Sequence, residues 1–218
     1  MSLDNDLLTA DVGDELFWDP KLDNSAIAVS ADDGMVTLRG TVGSLREKRE
    51  AKKAAQRVFG VTSVDNKLQV RLMDDDKRAD ADLRGDVLQA LMLDSLVPKT
   101  VDAKVDDGFV TLTGTADWQY QRDEADFVAS NIAGALDVFN EIELEHPTPK
   151  AGDVQDSIEK AFKRNAAIDA DDVSISTDSG IVTLEGTVSS WAEHDEAIDA
   201  AWAAPGVTSV RDDLTIGY

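Results

Sequence analysis

From Met35 to Val42 apolar and polar residues alternate along the chain: Val36, Leu38 and Val42 fall on one side and Thr37, Arg39 and Thr41 on the other. A period of two predicts a strand with one face buried. The phrase is written three times, after Gly34, again from Gly108 to Ala116, and again from Gly180 to Val188. A second glycine follows each copy at the same interval, at Gly60, Gly134 and Gly206. A register kept three times predicts a tandem array of one small module.

The residues around each phrase complete that module. Ahead of it, apolar residues recur every fourth position: Leu8, Val12 and Leu16, then Leu83, Val87 and Leu91, then Val154, Ile158 and Phe162. That spacing puts them on one helical face, and Asp19-Pro20 stops the first helix because proline cannot continue it. A second alternating run follows, with Ile27, Val29 and Ala31; Val101, Ala103 and Val105; and Val173, Ile175 and Thr177. Asp33-Gly34, Asp107-Gly108 and Ser179-Gly180 supply the tight turns into the repeated strand. Beyond it a second helix carries Ala51, Ala54, Ala55 and Val58 on one stripe, and Gly60, Gly134 and Gly206 stand where a helix C-cap is expected. A last strand carries Val64, Leu68 and Val70, matched by Val138, Ile142 and Leu144 and by Val210, Leu214 and Ile216. The expected class is α/β, built of α+β modules ordered helix-strand-strand-helix-strand. Each would be a three-stranded mixed sheet covered by two helices on one face. The expected bounds are residues 3–72, 79–146 and 151–218. A charged linker, Met73 to Arg78, and a proline-stiffened one, Glu145 to Lys150, separate them.

Composition narrows what such modules can do. The chain of 218 residues has a formal net charge of −23, which repels nucleic acid and anionic lipid at long range. It has no cysteine and two histidines, His146 and His194, so thiolate and multi-histidine metal sites are not expected. No apolar run approaches a membrane span. The acidic stretch Met1 to Thr9 lacks the regions of a signal peptide, so the expected location is cytoplasmic, or periplasmic if an export signal has been removed. The acidic pairs Asp32-Asp33, Asp74-Asp75-Asp76, Asp106-Asp107, Asp171-Asp172 and Asp212-Asp213 lack the ligand alternation of a calcium loop. The glycines of the repeated phrase are followed by no Walker lysine, and Gly40 in a strand speaks for a kink or a close backbone approach. No metal, cofactor or catalytic residue is expected. His194 is expected to be a solvated helix residue, and Trp18, Trp118, Trp191 and Trp202 are expected in the core.

The three second helices differ where they face outward. In the first, Arg46, Arg49, Lys53 and Arg57 fall within about 80° opposite the alanine stripe, with Lys48 and Lys52 beside them. The same positions become Tyr120, Asp123, Phe127 and Asn131 in the second copy, and Ala192, Asp195, Asp199 and Ala203 in the third, near Glu193 and Glu196. One helix is basic, one aromatic and one acidic. The candidate partner-binding residues are therefore Arg46, Arg49, Lys53, Arg57, Tyr120, Phe127, Asp195 and Asp199. Tyr120 and Phe127 are expected to be covered by another module or chain, because soluble monomers limit exposed apolar area.

The whole pattern, a helix, a strand, a DG turn, GxVTLxGTV, a helix and GVxxVxNxL, resembles the BON domain, named for bacterial osmotically inducible and nodulation proteins. Gly60-Val61-Thr62-Ser63-Val64-Asp65-Asn66-Lys67-Leu68 is its fullest ending here. The second copy departs, with Ala135 and Leu136 after its glycine and Phe139 in place of Asp65. The resemblance implies a non-enzymatic module linked to osmotic and envelope stress and to phospholipid. Together with the helix faces, it leads to the expectation of a stress-associated binding or scaffold protein. Its partners would be its own modules or a second copy, and alternatively anionic phospholipid through the basic helix.

Overall fold

The alternation and the four-residue spacing both produce the expected elements. In a computed structural model, which describes residues 5–73, 77–145, 151–165, 168 and 172–217, the first module runs α1 (Asn5–Trp18), β1 (Ile27–Asp32), β2 (Met35–Val42), α2 (Leu45–Gln56) and β3 (Ser63–Val70). The repeated phrase is the central strand, antiparallel to β1 and parallel to β3. Its Val36, Leu38 and Val42 are buried with Leu8, Val12 and Leu16 of α1 and Ala51, Ala54 and Ala55 of α2. Both helices therefore cover one face of the sheet.

The second module has α3 (Asp80–Leu93), β4 (Asp102–Asp106), β5 (Phe109–Thr113), β6 (Thr115–Ala116), α4 (Gln119–Ser130), β7 (Asp137–Asn140) and β8 (Glu143–Leu144). Here the single last strand expected through Val138, Ile142 and Leu144 is in two pieces, β7 beside β5 and β8 beside β6. Glu141 N still donates to Leu112 O between them. The third module returns to the first pattern with α5 (Ala151–Arg164), β9 (Val173–Asp178), β10 (Ile181–Val188), α6 (Trp191–Trp202) and β11 (Ser209–Ile216). Val110 and Leu112 are fully buried and Thr111 lies on the other face, as the alternation requires. By its internal contacts the chain divides into two compact units, residues 1–114 with 122–142, and residues 115–121 with 143–218.

The turns follow the expected chemistry. Asp33 and Gly34 both have positive φ, 46° and 84°, as do Asp107-Gly108 and Ser179-Gly180, the geometry of a type I′ hairpin. Asn5 Oδ1 accepts from Asp33 N at the first turn, and Asp80 accepts from Asp107 N and Gly108 N at the second. Asp80 thus clamps the turn, with the Asp106 and Asp107 carboxylates gathered beside it.

Several expectations are corrected. Gly60 does not cap α2: the helix ends at Gln56, with Arg57 as its cap. Gly60, at φ 92°, instead serves a separate turn closed by Val61 N on Val58 O. Trp18 is 78% exposed rather than in the core. Two residues along a helix turn the side chain by about 200°, so with Leu16 buried Trp18 faces away. Trp118, Trp191 and Trp202 are half-buried. His146, half of the first linker and most of the second lie outside the described residues.

Candidate functional site

A repeated tie sets the second helix against the last strand. Asn66 Nδ2 donates to Lys48 O (2.7 Å) while its Oδ1 accepts from Leu68 N (3.2 Å). Asn140 repeats both contacts with Arg122 O and Ile142 N. In the third module the equivalent residue is Asp212, which still accepts from Leu214 N but has no donor to offer. Its second oxygen lies 2.9 Å from His194 Nε2, and His194 Nδ1 lies 3.1 Å from Asp195 Oδ1. The ring also packs 4.9 Å from the Trp191 ring, leaving the His194 side chain only 12% exposed. His194 is a structural link between helix and strand, not the solvated residue expected.

Each second helix starts with a reciprocal cap. Ser44 accepts from Glu47 N, and Glu47 returns to accept from Gly43 N. Ser190 and Glu193 do the same for α6, where Glu193 is buried. In α4 a tryptophan replaces the serine, and Gln121 alone reaches back, to Asp117 N and Trp118 N.

With the alanine side of α2 buried, its cations point outward, and the structure sorts them. Arg49 grips both carboxylate oxygens of Asp126 on α4, Nη1 on Oδ2 and Nη2 on Oδ1. Lys48 Nζ lies 3.2 Å from Asp137 Oδ2 at the start of β7. These pairs join the basic helix of the first module to the second module within the first compact unit. The acceptor of Arg49 is thus a carboxylate of the second module's helix. Asp126 went unnoticed in the sequence although it stands at the helix position of Lys52, a charge inversion between copies. Arg57 also leaves the stripe. It turns inward to Glu15 and Asp19, both at 2.8 Å. The backbone N–H of Lys21, and then Arg57, hold the Asp19 carboxyl below its ordinary value against the opposing effect of burial. Arg46, Lys52 and Lys53 are exposed, with no ion pair among the described residues.

On α4, Tyr120 and Phe127 are 54% and 57% exposed, so the expected cover is not found among the described residues. On α6, partial burial first, and then the neighbouring charges of Asp195 and Glu196, push the Asp199 carboxyl above its ordinary value. Asp195, Ile198, Asp199 and Trp202 border a cleft of about 300 Å³. No helix among the described residues is long and apolar enough to cross a membrane.

The BON domain family matches residues 4–71, 79–145 and 150–218. This chain belongs to the BON domain family. It is 34% identical over 148 residues to the osmotically-inducible protein Y of Escherichia coli K12, across 66% of this chain and 74% of that protein. Among solved structures, it resembles CdsD, a structural protein of the type III secretion system of Chlamydia trachomatis, at 16% identity and a TM-score of 0.28. That likeness covers 97% of this chain and 92% of CdsD. It also resembles the periplasmic domain of the type III secretion inner-membrane protein PrgH of S. typhimurium, at 13% identity and a TM-score of 0.23, over 89% of this chain and 96% of that one. At TM-scores this low neither likeness bears on function.

Proposed function

We propose that this BON protein is a non-catalytic binding or scaffold protein of the osmotic stress response, in which α2 is a docking helix for acidic protein surfaces. The observation that carries this reading is the pair of contacts Arg49–Asp126 and Lys48–Asp137, which place two cations of α2 on carboxylates of a sibling module. The Arg49 contact engages both oxygens, the geometry that distinguishes a specific guanidinium-carboxylate pair from a diffuse one. Half-exposed pairs of this kind contribute about 1–2 kcal/mol together, enough to bias how two small modules pack. The non-catalytic reading is supported by where the reactive side chains are used: Glu47, Glu193, Asp80, His194 and Asp212 are all engaged in caps, turns and ties. The test is Arg49→Glu with Asp126→Arg, singly and together, followed by hydrogen exchange across α2 and α4. Loss of protection in each single variant and recovery in the pair supports docking; no change in either single variant rejects it.

A second reading, peripheral binding of anionic phospholipid, is favoured by the exposure of Arg46, Lys52 and Lys53. At about 1 kcal/mol per cation near an anionic surface they supply roughly 3 kcal/mol. The net charge of −23 opposes them within a Debye length of about 8 Å. Such binding would be weak and lost in salt, which flotation with phosphatidylglycerol vesicles would register.

A further inference from the structure

Two surfaces of opposite charge, one on α2 and one on α6, stand without a carboxylate and without a lysine or arginine partner, respectively, among the described residues. On α2, once Lys48 and Arg49 are engaged, Arg46, Lys52 and Lys53 still point to solvent. On α6 there is no lysine or arginine at all, while Glu193, Asp195, Glu196 and Asp199 are present. Glu193 is buried as the cap. The other three project outward, Asp195 beside the His194 ring and Glu196 accepting from Asn165 Nδ2, with Asp195 and Asp199 one helical turn apart, a like-charge spacing that weakens a helix. We infer that the acidic face of α6 docks the free cations of α2 from a second copy of this chain, an inference that rests on reading α2 as a docking helix.

Three observations support that occupant. The proton affinity of Asp199 is raised first by partial burial and then by Asp195 and Glu196, on a helix that carries no lysine or arginine. The cleft beside it is lined by Ile198, Trp202 and Val210 and by Asp195, Asp199 and Asp212, with His194 against Asp195 and Asp212. Such a shape accepts the methylene stem of a lysine and leaves its ammonium among carboxylates. The first module also shows the same mode already in use, since Arg49 on one second helix meets Asp126 on another. A second copy is preferred to a lipid surface because it satisfies both faces at once. An anionic bilayer would attract α2 but repel α6, whereas each copy carries the cations that α6 lacks and the carboxylates that α2 lacks. Complementary patches of this kind fix register and speed encounter, and two different surfaces on one chain make a heterologous contact.

The experiment measures the mass of the full chain by sedimentation velocity against concentration and salt. Comparison is with K52E/K53E, D195K/D199K, the variant carrying all four changes, and D195N/D199N, which only removes charge. The expected result is a mass that rises with concentration and falls with salt. Either charge reversal should weaken association about tenfold or more, D195N/D199N should weaken it less, and the fourfold variant should recover it. R49E, read by hydrogen exchange across α2 and α4, tests the docking within the first compact unit separately from the mass series. If R49E leaves protection unchanged, the docking reading fails while the mass series still decides the present one. A mass that stays monomeric, or that is insensitive to salt, overturns the inference. So does a fourfold variant that fails to recover although its circular dichroism is native. Restored thermal stability without growth in mass would make the contact internal to one chain. Binding to phosphatidylglycerol vesicles without self-association would make it a lipid contact. Either outcome also overturns the inference.

Discussion

Gly40 shows how much of this fold is decided at single residues. It has φ 124°, and a Cβ built there would sit 1.9 Å from the carbonyl oxygen of Ala26; Gly114 and Gly186 meet Thr100 O and Asp172 O in the same way. The second glycine of the phrase is therefore the point where the chain entering the first strand crosses close over the central one. Gly40→Ala is expected to cost at least about 2 kcal/mol in urea unfolding, from backbone strain plus the clash. Gly13→Ala, in the middle of α1 with open space around it, should instead add about 0.5–1 kcal/mol. Two carboxylates set opposite pH responses. Asp19, with its proton affinity lowered in the fold, contributes stability above the ordinary carboxylate pKa of about 3.9, which is lost as pH falls through its lower folded value. Asp199 is raised, so its ionised form opposes folding at neutral pH and the penalty fades as pH falls through the raised value toward about 3.9. Asp199→Asn should therefore stabilise the third module at pH 7, by less than about 1 kcal/mol after solvent screening. Thermal melts should show that gain disappearing on acidification.

At the scale of elements, the order of helices and strands was legible because the two periods differ sharply and each repeat confirms the others. Val36, Leu38, Val110, Leu112, Val182 and Leu184 are all fully buried, as a period of two through VTL requires. Two kinds of detail were not legible. Residue type alone puts Trp18 inside, although its angle from Leu16 points it outward. The glycine after α2 was read as a cap because no local signal separates a helix end from a turn three residues later. The tie between second helix and last strand was also hidden, since it needs Asn66 and Lys48 in contact across the intervening turn. Asn66→Asp copies the third module's residue into the first without its histidine. It removes the donor to Lys48 O and turns a carboxylate toward that carbonyl, so it should cost about 1–3 kcal/mol in denaturant unfolding. Ser44→Ala, which removes the cap on Glu47 N and the hydroxyl's bond to Glu47 Oε2, should cost about 1 kcal/mol.

For the whole molecule, the informative quantity is how charge is distributed among copies of one fold. A net charge of −23 favours solubility, yet cations are concentrated on α2 and two of them meet carboxylates of the second module. That partner was not legible from sequence, because Arg49 and Asp126 are separated by 77 residues and only the fold brings them together. If the contact orients the modules, it must appear as coupling and not merely as the sum of two lost charges. Arg49→Glu sets two carboxylates against each other, and Asp126→Arg sets two guanidinium groups against each other. Each single change should cost about 1–2 kcal/mol, and the exchanged pair should recover most of it, giving a coupling energy of about 1 kcal/mol or more. Side chains that keep 36% and 23% of their exposure are only partly shielded from salt, so the coupling should shrink as ionic strength rises from about 0.05 to 0.5 M. Exchange of the β9, β10 and β11 amides should stay constant throughout, because neither residue belongs to the third module. Additive single costs with no coupling at low salt would mean that Arg49 and Asp126 touch without holding the two modules in register.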